Sequence, residues 1–164
     1  MSAKKSREES KNWSLDLAIA PEGALGRIGA SINRRGKRAF GVLKTENEYV
    51  GVVAEREFEI WERQKRAVHA LGRVTARQRG SRLDVSFLVP LRTRVLLGLF
   101  FALYMFAALG IATQPPEPSV SPAELLVAVA GAAVLVALFV AGARIQRADL
   151  RAFLERVFEG VGRL

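Results

Sequence analysis

Residues 95–113 read VLLGLFFALYMFAALGIAT and residues 125–143 read LLVAVAGAAVLVALFVAGA, two runs of 19 residues without one charged side chain. As α-helices rising about 1.5 Å per residue, each is roughly 28 Å long, close to the ~30 Å hydrocarbon core of a bilayer. A helix buried in a small soluble domain would still carry a polar stripe, whereas these runs are apolar all round, which asks for lipid or for deep burial. The remaining chain is too short to cover two such helices. Both are therefore read as transmembrane spans, with a buried soluble hairpin as the competing reading.

Between them, residues 114–124 (QPPEPSVSPAE) hold four prolines, which forbid a continuous helix and turn the chain back. Ser121 followed by Pro122 reads as an N-cap with proline at the first helical position, and Glu124 suits the positive end of the helix dipole. The basic residues set the orientation. Arg82, Arg92 and Arg94 precede the first span, Arg144, Arg147, Arg151 and Arg156 follow the second, and the connecting loop has no Lys or Arg. Cytoplasmic flanks carry the positive excess, so both termini are expected inside and the loop outside.

Neither span contains Asp, Glu, Lys, Arg or His, the residues that mark ion paths and proton relays inside membranes. Small residues recur instead: Ala133, Ala137 and Ala141 on one row, Ala128 and Ala132 on another, and Gly98, Ala102 and Gly110 on a stripe interrupted by Phe106. Such rows let backbones approach closely, either within the hairpin or in a homo-oligomer.

Outward from the spans, residues 1–12 are polar and charged, which predicts a disordered segment and no cleavable signal peptide. Residues 13–91 read as a cytoplasmic α+β domain. Leu15, Leu17 and Ile19 alternate as a strand. Pro21 opens a helix with Leu25, Ile28 and Ile32 at helical spacing and Gly36 as its stop. Strand-like runs follow around Phe40 and Val42, at 49–53, at Phe58 and Ile60, and over 68–76. Residues 78–81 (QRGS) make a hairpin turn, and Leu83, Val85, Phe87 and Val89 show the cleanest alternation in the chain. Residues 144–164 have Leu150, Phe153, Leu154, Val157, Val161 and Leu164 on one face and Arg147, Arg151, Glu155, Glu159 and Arg163 on the other. That amphipathic helix either lies in the membrane interface or docks on the β domain. The expected fold class is α+β: a small antiparallel sheet with one helix, then a transmembrane α-helical hairpin, then a C-terminal amphipathic helix.

The chain carries 25 Lys and Arg against 16 Asp and Glu, a net charge of +9, and no cysteine. Disulfides, thiolate nucleophiles and Cys-based metal sites are thereby excluded. The basic clusters predict contact with anionic lipid headgroups through Arg34, Arg35, Lys37, Arg38, Arg92, Arg94, Arg144, Arg147 and Arg151, with Arg63, Lys65 and Arg66 as a further cluster able to meet phosphates. Nucleic acid is disfavoured, since no stacking aromatics interleave with these arginines.

Gly23, Gly26 and Gly29 do not have dinucleotide-loop spacing and are read as close helix packing. Glu55, Glu57, Glu59 and Glu62 lie near one another, with Glu57 and Glu59 on one sheet face, and are read as a solvated face. His69 has Glu62 and Asp84 as candidate partners for a dyad, but no nucleophile is specified beside it. No catalytic, metal or cofactor residue is assigned.

The stretch from Tyr49 through Gly51, Phe58 and Ile60, then Gly72-Arg-Val74 and Gly80-Ser-Arg-Leu83-Asp-Val85 to Pro90, resembles a family of uncharacterised bacterial two-span inner-membrane proteins with a small β-rich cytoplasmic domain. The similarity covers about residues 40 to 110. The family's polar Asn-Ser-Phe-x-Pro bend is replaced here by residues 66–70 (RAVHA). The resemblance implies a bacterial inner membrane and brings no activity or site residues. The function expected is a non-enzymatic membrane-anchored module whose basic domain binds a partner protein or the anionic membrane surface. An oligomeric small pore or transporter component, and a membrane-associated enzyme acting on lipid or nucleotide, are the alternatives.

Overall fold

The computed structural model describes residues 12–34, 47–112 and 121–162. Of the segment 1–12 expected to be disordered, residues 1–11 lie outside them and Asn12 begins a strand; the strand around Phe40 and Val42, the Gly36 stop and most of the proline loop also lie outside them. The chain divides into two compact units, Met1–Val89 with Gln146–Leu164, and Pro90–Ile145.

The first unit is a sheet in the order β1-β6-β5-β4-β3-β2, built from β1 (Asn12–Leu17), β2 (Asn33–Arg34), β3 (Tyr49–Val53), β4 (Glu57–Glu62), β5 (His69–Arg77) and β6 (Gly80–Leu88). Five strands pair antiparallel, and the two-residue β2 adds in parallel beside β3. The first strand therefore closes onto the last, with Leu15 opposite Leu83. Strand β1 starts at Asn12, earlier than the 15–19 alternation implied, and Ala18 N–H turns away to donate to the Gly162 carbonyl.

Alternation puts Leu83, Val85 and Phe87 of β6, Ala70 and Val74 of β5, and Phe58 and Ile60 of β4 on one buried face. Two glycines on that face make room for neighbours. A Cβ on Gly72 would strike the Phe58 ring lying across it, and one on Gly51 would strike the Glu59 carbonyl and the Ile32 side chain. At Gly80, φ is +150°, a conformation open to glycine, and a Cβ there would meet the Leu17 carbonyl. The turn before it is the two residues Gln78 and Arg79, since Arg77 pairs with Gly80.

Helix α1 (Pro21–Ser31) packs on the sheet through Ala24, Leu25, Ile28 and Gly29. It begins with proline at its first turn and ends five residues before Gly36. Gly23 and Gly26 face open space, so they do not serve the close packing expected of them; only Gly29 is buried.

The second unit holds helix α2 (Leu91–Ala112) and most of helix α3 (Pro122–Val157). Both are long and apolar enough to cross a membrane, and neither apolar window is buried within the structure. Ser121 Oγ accepts from Glu124 N–H at 3.2 Å while the Glu124 carboxylate accepts from Ser121 N–H at 2.9 Å, a reciprocal capping box. Tyr104 Oη donates to the Ala128 carbonyl at 3.2 Å, and its hydroxyl occupies the space a Cβ on Gly131 would need. Ala128, Gly131, Ala132, Leu135 and Phe139 are the half-buried positions of α3 between 125 and 142, whereas Ala133, Ala137 and Ala141 point outward, as do Gly98, Ala102 and Gly110 of α2. Of the small-residue rows, only the one through Ala128 and Ala132 serves the hairpin.

Helix α3 does not break at Ala143 to begin a separate amphipathic helix. It runs 36 residues without interruption, because no proline or glycine follows Gly142 until Gly160.

Candidate functional site

The last turns of α3 belong to the sheet unit. Leu150, Phe153, Leu154, Phe158 and Val161 are buried, and the Tyr49 ring stacks on Phe153 with centroids 4.0 Å apart. The apolar face found in the sequence is thus spent on the sheet rather than on the lipid interface, which decides between the two readings of residues 144–164. Burial pushes the Tyr49 phenol above its ordinary range, and the neighbouring Glu48 carboxylate adds to the shift.

Gln146 is 3% exposed and projects from α3 to the strand ends. Its Nε2 donates to the Lys65 carbonyl and, at 3.4 Å, to the Glu62 carboxylate. Glu62 is buried and salt-bridges Lys65 at 3.2 Å. It therefore lies on the opposite face from Glu57 and Glu59, and the four glutamates do not form one solvated cluster. A lone Gln after an apolar run gives no sequence signal for such a junction.

The candidate cations fare differently. Arg92, Arg94 and Arg144 are exposed. Arg147 is half-buried, with its Nε enclosed and without a hydrogen-bond partner. Arg151 is engaged in the fold: its Nε donates to Glu155 at 2.9 Å and its guanidinium lies 5.8 Å from the Trp13 ring centroid. Arg34 falls in β2, while Arg35, Lys37 and Arg38 lie outside the described residues.

The other sheet face carries an open groove of about 560 Å³ lined by Val52, Glu57, Glu59, Leu71, Arg73 and Leu88, among others. Its charges are paired, one pair across strands and one along β6. Arg73 Nε donates to Glu57 at 3.0 Å directly opposite, and Arg82 Nε to Asp84 at 2.9 Å. His69 Nδ1 lies 2.7 Å from Glu59 Oε1 and its ring stacks on Trp61, centroids 5.0 Å apart. The partner is Glu59, neither Glu62 nor Asp84, because register places Glu59 and His69 on the same face and two residues apart across β4 and β5. Such a pair can hold or pass a proton. Among the described residues no hydroxyl hydrogen-bonds the ring, and no cluster of three or more His, Asp or Glu can hold a metal.

Comparisons of the chain with protein-family models, curated proteins and solved structures return no match.

Proposed function

We propose that the chain is a two-span integral membrane protein that fastens a small α+β domain to the cytoplasmic face of the bilayer, where the domain acts as a non-enzymatic binding module. The observation that carries this reading is that residues before the first apolar helix and after the second fold into one core, joined by Tyr49 on Phe153, Ala18 on Gly162 and Gln146 on Glu62. A chain that crosses a bilayer once between those segments could not form that core, and one that crosses twice can. Water is a poor solvent for the alternative. Leu91, Phe106, Leu126, Val127 and Leu138 are each more than 60% exposed, and contiguous apolar surface of this extent marks contact with a membrane or a partner.

The absence of Lys and Arg from residues 114–124 supports placing that loop outside and the sheet inside. A binding role is favoured by a groove whose charged groups are already paired on an exposed sheet face. Washing isolated membranes with alkaline carbonate tests the anchoring. The full chain is expected to remain in the pellet and to leave it only with detergent; release by carbonate alone would overturn the proposal.

A further inference from the structure

The strongest unassigned feature is the loop between β4 and β5, residues 63–66 (RQKR), all four exposed. It is held at two points. Arg63 N–H donates to the Glu48 carbonyl at 2.9 Å, and the Lys65 carbonyl accepts from the buried Gln146 amide. Gln146 stands three residues beyond Ala143, the last of the charge-free run, and the helix is unbroken there. Three residues are about 4.5 Å of helix rise, and any tilt shortens the distance along the bilayer normal. The hydrogen bond to Lys65 therefore keeps the loop beside α3 within one helical turn of the end of the charge-free run. Glu62 offsets the Lys65 charge, but Arg63 and Arg66 make no ion pair among the described residues.

We infer that residues 63–66 are a binding loop for anionic phospholipid headgroups, with the Arg63 and Arg66 guanidiniums meeting lipid phosphate and Gln146 setting their depth. Guanidinium matches a phosphate bidentately and is always charged. The inference rests on the proposed membrane anchoring and adds to it the lipid class and the residues that read it. The hairpin Arg77-Gln78-Arg79 is an internal control. It offers two arginines at the other end of β5, about 26 Å away by strand rise.

The chain has no cysteine, so single labels are clean. The full protein carrying a fluorophore at Gln64→Cys or Gln78→Cys is reconstituted into phosphatidylcholine vesicles, with and without phosphatidylglycerol, that contain headgroup-spin-labelled lipid. Quenching is expected at position 64 and absent at position 78. In mixed micelles, phosphatidylglycerol retained by the full chain is expected to fall roughly fivefold for each arginine removed by Arg63→Gln and Arg66→Gln, and to be unchanged by Arg77→Gln with Arg79→Gln. Equal quenching at both positions overturns the inference, as does phosphatidylglycerol retention that ignores the Arg63 and Arg66 changes. A chain that fails to enter vesicles at all defeats the anchoring proposal instead. Tighter retention of a DNA oligonucleotide, lost in the same double variant, would overturn the lipid assignment.

Discussion

Gly72 shows why a residue can be visible in the sequence without its reason being visible. It stands out in the sequence as the glycine of Gly72-Arg-Val74, but only the register of Phe58 opposite Gly72 reveals an aromatic ring filling the missing side chain. Gly72→Ala is expected to destabilise the sheet unit by about 1–3 kcal/mol, since overpacking displaces a buried ring. Denaturation of the full chain in detergent, followed by the fluorescence of Trp13 and Trp61, checks this. Tyr49 yields a pH prediction. Its phenol is raised above 10.0 because the fold favours the neutral form. The stability from that preference is whole below pH 10 and is lost as pH climbs through the elevated folded value. Tyr49→Phe should flatten the alkaline limb of the melting profile, and an unchanged limb would remove Tyr49 from the account. The His69–Glu59 contact escaped the sequence reading because proximity across a sheet depends on strand register, which composition does not reveal.

Elements with strong periodicity were legible. The two apolar helices, the Ser121 cap, the hairpin before β6 and the alternation of β6 itself all follow from local pattern. What could not be read was the destination of the amphipathic stretch after Ala143, because lipid and a sheet satisfy the same apolar face. Gln146 settles its placement here, and removing its amide by Gln146→Leu should cost about 1–3 kcal/mol by leaving Glu62 and the Lys65 carbonyl underbonded. Thermal melts of the full chain in detergent measure it. Within the hairpin, Gly131→Ala should weaken helix association by about 1 kcal/mol, the scale of interhelical polar contacts in membranes. Tyr104→Phe in the same chain should recover part of the loss, because the obstructing atom is the Tyr104 hydroxyl. Strictly additive effects in that cycle would show that the two residues do not touch.

At the scale of the whole molecule, the chain order interrupts one folded unit with another. The unit that holds the sheet takes its residues from both sides of the hairpin, all six strands from before it and the last turns of α3 from after it, so the hairpin behaves as an insertion in that unit. The placing of Lys and Arg on both flanks of the uncharged runs, and none between them, led to the arrangement proposed, and the stacking of Tyr49 on Phe153 supports it. The most direct test is labelling by a membrane-impermeant maleimide in right-side-out vesicles, using single cysteines at Ser119, Gln64 and Glu159. The account predicts that Ser119→Cys reacts at once, whereas Gln64→Cys and Glu159→Cys react only after the bilayer is opened. Labelling of Gln64→Cys and Glu159→Cys from opposite sides would contradict it.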